Sequence, residues 1–228
     1  MTLQLIAMHG WAGDQRGWQP FAVAAAGHGW SWSPGERGYG GLPPAMPAWQ
    51  PEGRRVLVVH SLGLHLLPTS LLAQAEAVVL LASFGRFVPE GPAGRRLRVA
   101  LTGMEQSLQQ GEARAMLQSF MVQAAAPQAR NPDAPWIGDH PIQAEARRLL
   151  LEDLRLLSGT TGLPAGFPPE ARVLIVEGGC DRIVVPEARR ELRDALPDAD
   201  RLQLSAAGHL LQTPALAPML FGWLGALP

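Results

Sequence analysis

RRVLVVHSLGLHLL, residues 54–67, carries the clearest structural instruction in the chain. An apolar, β-branched run ends at Val59, four residues His60-Ser61-Leu62-Gly63 follow, and a helical apolar pattern begins at once. The run is of strand length and apolar at every position, as in a strand covered on both faces. A serine at the corner between such a strand and a helix has the sequence form of a nucleophile elbow, a strained turn that lifts the hydroxyl above a sheet. That turn crowds neighbouring backbones, so small residues are expected two positions before and two after the serine. Gly63 meets this requirement, whereas Val59 stands where the usual motif has glycine. The plainer reading of Ser61 is a residue that caps the helix.

Similar runs recur outward from this point: Leu3–Met8, Trp30–Ser33, Arg55–Val59, Ala77–Ala82, Val173–Glu177 and Leu202–Ser205. Helical patterns alternate with them, at Leu64–Ala73 and at Pro186–Ala195, where the proline suits a first helical turn. The alternation predicts an α/β fold, a mostly parallel sheet of about six strands with helices on both faces. The rhythm stops between Phe84 and about Pro169. Leu97, Leu101, Met104 and Leu108 form an apolar helical stripe there. Met116, Leu117, Phe120 and Met121 mark a second helix. A third spans Ile142 to Leu157, with Arg148 and Glu152 paired at i,i+4. The chain therefore divides into a core of residues 1–84 and 170–228 and a helical lid inserted at 85–169.

Two further residues sit just past strands. Asp181 follows VLIVEGGC, and His209 follows LQLSAAG. Serine, aspartate and histidine occur in that order, each at the C-terminal end of a strand, which is the ligand-binding edge of an open parallel sheet. Taken singly, Asp181 reads as a turn carboxylate after two glycines and His209 as a satisfied histidine. Together they suit acyl transfer. His209 would take the serine proton, and Asp181 would hold the other imidazole N–H and stabilise the imidazolium. The developing oxyanion needs fixed donors. The backbone N–H of Leu62 is one, and that of Trp11, in the loop Met8-His9-Gly10-Trp11 after the first strand, is the second.

Composition excludes several other classes. The 228 residues carry 19 basic and 20 acidic groups, a formal net charge of −1, and every basic residue is arginine. Such balance lacks the basic footprint of a nucleic-acid binder. One cysteine, Cys180, excludes a disulfide framework. No elbow surrounds it, which makes it the weaker nucleophile. His9, His60 and His65 lie close in sequence, but no carboxylate joins them at ligand spacing, so no metal is expected. No GxGxxG follows the first strand, and no cofactor is expected. The N-terminus lacks a basic leader pattern. The apolar stretch Ala215–Leu227 is shorter than the roughly 20 residues a span requires, so it reads as a packed terminal helix. The expectation is a cytoplasmic monomer that uses no membrane.

The chain resembles the α/β-hydrolases over nearly its whole length, and among them the methyl ester esterases of biotin synthesis. The residues that carry the resemblance are His9-Gly10-Trp11 with Trp18, Ser61 followed by Leu62-Gly63, the Asp181 loop ending at Pro186, and Gly208-His209. His60 and Val59 depart from the family pattern. The chain begins at what would be the family's third strand, without the usual antiparallel hairpin. The resemblance implies a triad of Ser61, Asp181 and His209, oxyanion donors on Trp11 and Leu62, and an acyl pocket near Ser83 and Phe84. It implies hydrolysis of the methyl ester of pimeloyl carried on acyl carrier protein, which would be the partner.

Within the lid, Met104, Met116, Phe120 and Met121 are candidates for lining an acyl tunnel, because thioether chains adapt to flexible ligands. Packing among the lid's own helices is the alternative for each. Arg95, Arg96 and Arg98, with Arg147, Arg148 and Arg155, are candidates for docking an acidic carrier protein. Two other functions stay open: a broad esterase, thioesterase or lactonase for small acyl groups, and a non-enzymatic ligand-binding protein on the same fold.

Overall fold

The computed structural model describes residues 2–132 and 134–228. Six strands, β1 (Leu3–Met8), β2 (Ser31–Pro34), β3 (Arg54–His60), β4 (Ala77–Leu81), β5 (Arg172–Gly178) and β6 (Asp200–Leu204), form one sheet in the order β2-β1-β3-β4-β5-β6. Every pair is parallel. The chain builds outward from β1 to β2 and then returns to place β3 on the other side of β1. The C-terminal ends of β1 and β3 are therefore neighbours where the winding reverses, the crevice in which open α/β sheets bind ligands.

Side chains alternate between the two sheet faces. Leu5, Val56, Val58, Val79 and Leu174 share one buried cluster with Leu216, Leu220, Phe221 and Leu224 of α8 (Leu216–Gly225) and Ala25 of α1 (Gln19–Gly27). Ile6, Leu57, Val59, Leu80 and Ile175 point the other way. They meet Leu64 of α2 (Gly63–Leu66), Leu71 and Leu72 of α3 (Thr69–Leu72), and Leu192 of α7 (Pro186–Ala195). Burial on both faces explains why the strands read as unbroken apolar runs.

The helix expected over Leu64–Ala73 is interrupted. Leu67 is extended, with φ −85° and ψ 141°, and α3 restarts after Pro68. A proline disfavours helical backbone in the residue before it, so one apolar pattern becomes two short helices. Between β4 and β5 the chain makes α4 (Gly91–Gln109), α5 (Ala113–Ala125) and α6 (Ala144–Gly159), with no strand among the described residues. Leu101, Leu108, Leu117, Leu150, Leu154 and Leu157 from these helices form a third cluster with Trp11, Leu62 and Phe84 of the sheet's C-terminal edge. No helix among the described residues is long and apolar enough to cross a membrane.

The terminal helix α8 holds one face of the sheet through a few fully buried side chains. Truncating Leu220, which is fully buried, is expected to cost about 3 kcal/mol through lost transfer energy plus a residual cavity. For a chain of this size that lowers Tm by about 6–12 °C. Calorimetry of Leu220→Ala checks this, and a shift under about 2 °C would contradict the packing role given to α8.

Candidate active site

Ser61 follows β3 directly and has φ 53°. A non-glycine residue in the left-handed region costs about 1–2 kcal/mol, so its surroundings must hold it there. Two backbone approaches do so. A Cβ on Gly10 would stand 2.8 Å from the Ser61 Cβ, and a Cβ on Gly63 would overlap the Met8 carbonyl oxygen. The elbow can therefore press against the end of β1 only if both positions lack side chains. The Ser61 backbone is also fastened to β4, because its N–H donates to the Leu81 carbonyl at 2.9 Å and its carbonyl accepts from Ser83 Oγ at 2.8 Å. Val59, the departure from the usual small residue, is fully buried among Met8, Leu64 and Leu80. Its side chain lies on the face covered by α2, α3 and α7.

The hydroxyl meets an ordered pair of partners. His209 Nε2 lies 3.1 Å from Ser61 Oγ, and His209 Nδ1 lies 2.9 Å from Asp181 Oδ2. All three residues are buried. Asp181 Oδ1 accepts from the backbone N–H groups of Ile183 at 2.7 Å and Val184 at 3.0 Å. Burial pushes the Asp181 carboxyl up, but the adjacent His209 and those two N–H groups outweigh it and hold the group below its usual range. An ionised Asp181 accepts the Nδ1–H bond, leaving Nε2 free to take the serine proton.

His60, which the sequence reads as a residue buried behind the elbow, braces the base. Its Nε2–H donates to the His209 carbonyl at 3.0 Å, and the two rings lie 5.0 Å apart. Burial, followed by the proximity of His209, lowers its pKa from 6.5 to about 4, so it stays neutral at pH 7.

The backbone N–H groups of Trp11 and Leu62 donate to no protein acceptor among the described residues, although both residues are buried. Buried N–H groups are rarely left unpaired, and these two belong to the loops that flank Ser61. Both are therefore free to donate to a bound group.

The residues expected to line an acyl pocket are dispersed. Ser83 spends its hydroxyl on the elbow carbonyl. Phe84 is fully buried, stacks on His65 at 5.4 Å, and accepts a hydrogen bond from that imidazole through its carbonyl. Phe120 meets the Trp11 ring edge-on at 5.1 Å, so it lies beside the donor loop. Met104 and Met116 pack against the cluster that contains Trp11 and Phe84, and they also line a groove of about 450 Å³ between α4 and α5, which none of Ser61, Asp181 and His209 borders. Met121 is half-buried on α5, outside the cluster that contains Phe120. Cys180 is exposed on the loop before Asp181.

The arginines also separate. Arg148 pairs with both Glu145 and Glu152, and Arg155 pairs with Glu105. Those cations are already neutralised on the insertion's own surface. Arg147 is half-buried. Arg95, Arg96 and Arg98 are exposed along α4 and ion-pair with no carboxylate among the described residues.

Sequence reading missed the groups that seat the insertion. Asp153 of α6 is buried and accepts from Arg37 Nε at 2.6 Å, Arg37 Nη2 at 2.9 Å and the Tyr39 hydroxyl at 2.5 Å. The available signal was a carboxylate on the apolar side of α6, where Leu150, Leu154 and Leu157 flank it.

No protein-family model and no curated protein matches the chain. Solved structures do. An esterase from Exiguobacterium antarcticum is 14% identical with a TM-score of 0.77, over 98% of this chain and 92% of that one. The enol-lactonase from Burkholderia xenovorans LB400 is 15% identical with a TM-score of 0.75, over 99% and 92%. A thermophilic esterase from Thermogutta terrifontis is 16% identical with a TM-score of 0.67, over 98% and 89%. Sheet order, helix placement and these likenesses define the fold: it is the α/β-hydrolase fold.

The neutral imidazole of His60 gives the site an acid sensitivity. In the unfolded chain this histidine binds a proton below about pH 6.5, whereas in the folded chain it does so only near pH 4. The stability it contributes is present above pH 6.5 and is lost as pH falls through that window. His60→Gln, which keeps an amide donor and does not titrate, is expected to lose less Tm than the wild type between about pH 7 and about pH 4.5. Equal losses in the two proteins would contradict the assignment.

Proposed function

We propose that this protein is a serine carboxylic ester hydrolase that works through an acyl-enzyme. One observation carries the reading: a serine hydroxyl on a left-handed turn lies 3.1 Å from an imidazole whose other nitrogen lies 2.9 Å from a buried carboxylate. His209 Nε2 takes the Ser61 proton as Oγ attacks the ester carbonyl. The carbonyl electron pair moves onto oxygen, which is held by the N–H groups of Trp11 and Leu62. As the tetrahedral intermediate collapses, the imidazolium returns its proton to the departing alkoxide, which leaves as the alcohol. Water then repeats the sequence on the acyl-enzyme and restores Ser61. Asp181 stays ionised throughout and offsets the charge on the imidazolium.

The substrate is proposed to be pimeloyl methyl ester on acyl carrier protein, yielding pimeloyl-carrier protein and methanol. The support is the motif resemblance around Trp11, Ser61 and His209, together with three exposed arginines on α4 that ion-pair with no carboxylate among the described residues. Arg95, Arg96 and Arg98 are the docking residues in this reading, because Arg148 and Arg155 already hold carboxylates of their own. A broad esterase or lactonase for small acyl groups is the second reading, supported by structural neighbours described as esterases and an enol-lactonase.

Hydrolysis of pimeloyl-carrier-protein methyl ester, p-nitrophenyl acetate and p-nitrophenyl butyrate tests both readings. Ser61→Ala is expected to lower kcat on the order of 10⁵-fold or more, and Asp181→Asn on the order of 10⁴-fold. Reversing charge at Arg95, Arg96 and Arg98 together is expected to raise KM for the carrier-protein ester and leave the p-nitrophenyl esters unchanged. Equal loss on all substrates would contradict docking at α4. Turnover that survives Ser61→Ala would contradict the nucleophile.

A further inference from the structure

The Trp11 donor is held in place by a chain of contacts that begins on the inserted helix α6. In a trans peptide the carbonyl and the following N–H point in opposite directions, so the direction of the Gly10 carbonyl fixes that of the Trp11 N–H. The carbonyl is held by two donors, the Gly13 N–H at 3.1 Å and His9 Nδ1 at 2.8 Å. A carbonyl only accepts, so Nδ1 carries the proton. Nε2 is then the lone-pair nitrogen, and it accepts the Arg37 backbone N–H at 3.1 Å. Glu36 Oε1 also lies 3.6 Å from this nitrogen, so the buried ring is held at both of its nitrogens.

Arg37 is in turn fixed from α6. Its guanidinium grips Asp153 through two parallel hydrogen bonds, and Tyr39 donates a third to the same carboxylate. Glu36 closes the turn from the other side, accepting from the Gln15 N–H at 2.9 Å and the Gly38 N–H at 2.7 Å. The same helix holds Trp11 a second time, since the Leu150 carbonyl accepts from the indole Nε1–H at 2.9 Å. Leu150 and Asp153 lie about one helical turn apart. One helix thus clamps the side chain of the donor residue and, through Arg37 and His9, orients its peptide.

We propose that Asp153, Arg37 and His9 are positioning residues for the oxyanion donor, so that the seating of α6 on the core sets the alignment of the Trp11 N–H. This rests on the hydrolase reading above. Its consequence is that the insertion contributes to chemistry as well as covering the site: with α6 displaced, the serine and its base remain, but one of the two donors loses its aim. Bidentate Arg–carboxylate geometry is what such a coupling requires, because it fixes orientation as well as distance.

The test is Asp153→Asn in the full chain, with Arg37→Lys as a second variant that keeps the charge and loses the fork. Circular dichroism and Tm establish that each variant is folded. The substrates are p-nitrophenyl acetate, too short to use the insertion as a binding surface, and p-nitrophenyl octanoate. A trifluoromethyl ketone, whose adduct with Ser61 is an oxyanion, serves as inhibitor. We expect kcat for the acetate to fall about 10–100-fold with KM little changed, and the ketone Ki to rise by a similar factor. His9→Asn, which returns an amide N–H near the Nδ1 position, is expected to retain more activity than His9→Leu. If instead only KM for the octanoate rises, with acetate kcat and ketone Ki unchanged, the tether is structural and the proposal fails while the hydrolase reading stands. A wild type without Ser61-dependent turnover of any ester would overturn both.

Discussion

The structure depends on one close approach: the backbone of Ser61 against the ends of β1 and β4. A serine held at φ 53° is a local cost, and it is met by contacts that only a parallel sheet with this winding supplies. Gly10 and Gly63 remove the side chains that would keep the elbow from β1, and Leu81 and Ser83 fasten it to β4. Because β1 and β3 are adjacent where the winding reverses, the donor loop after β1 lies beside the serine after β3. The loops after β5 and β6 then bring Asp181 and His209 to the same edge. The function proposed for the site is therefore a consequence of strand order, since no two of its three central residues are near one another in sequence.

The same edge explains why the site is buried. Trp11, Leu62 and Phe84 pack into one cluster with α4, α5 and α6. Inside such a shell a buried carboxylate is costly unless it is fully bonded. Asp181 and Asp153 meet that condition in different ways. Asp181 is bonded by an imidazole and two backbone N–H groups, an arrangement that holds a charge beside a base that must gain and lose a proton. Asp153 is bonded by a guanidinium and a phenol, an arrangement that holds two parts of the chain together. Burial, followed by the carboxylate beside it, pushes the Tyr39 phenol well above its usual range, which keeps it a donor.

Much of this was legible in the sequence because it has a periodic or local signature. Unbroken apolar runs follow from strands buried on both faces, and the stripes of α4 and α6 follow from helices with one covered side. Ser61, Asp181 and His209 were visible because each follows such a run. Val59 departs from the usual glycine, and the structure buries it among Met8, Leu64 and Leu80. What escaped was long-range pairing. Nothing adjacent to Arg37 or Asp153 announces a partner 116 residues away. Of the carboxylates beside Arg148 and Arg155, only Glu152 was legible from its i,i+4 spacing; Glu145 and Glu105 pair with those cations as well. Met104 and Met116 border the α4–α5 groove as well as the cluster around Trp11 and Leu62, a division that a three-to-four-residue spacing does not fix.

The reactivity of the Ser61 hydroxyl depends on the whole site being assembled. A fluorophosphonate reacts with a serine only when a base activates it and donors hold the phosphoryl oxygen, so labelling followed by peptide mass mapping reads the whole arrangement at once. The predicted result is a single adduct on the peptide containing Ser61, formed at a rate that collapses in His209→Gln. An unlabelled protein, or an adduct on another residue with Ser61 untouched, would contradict it.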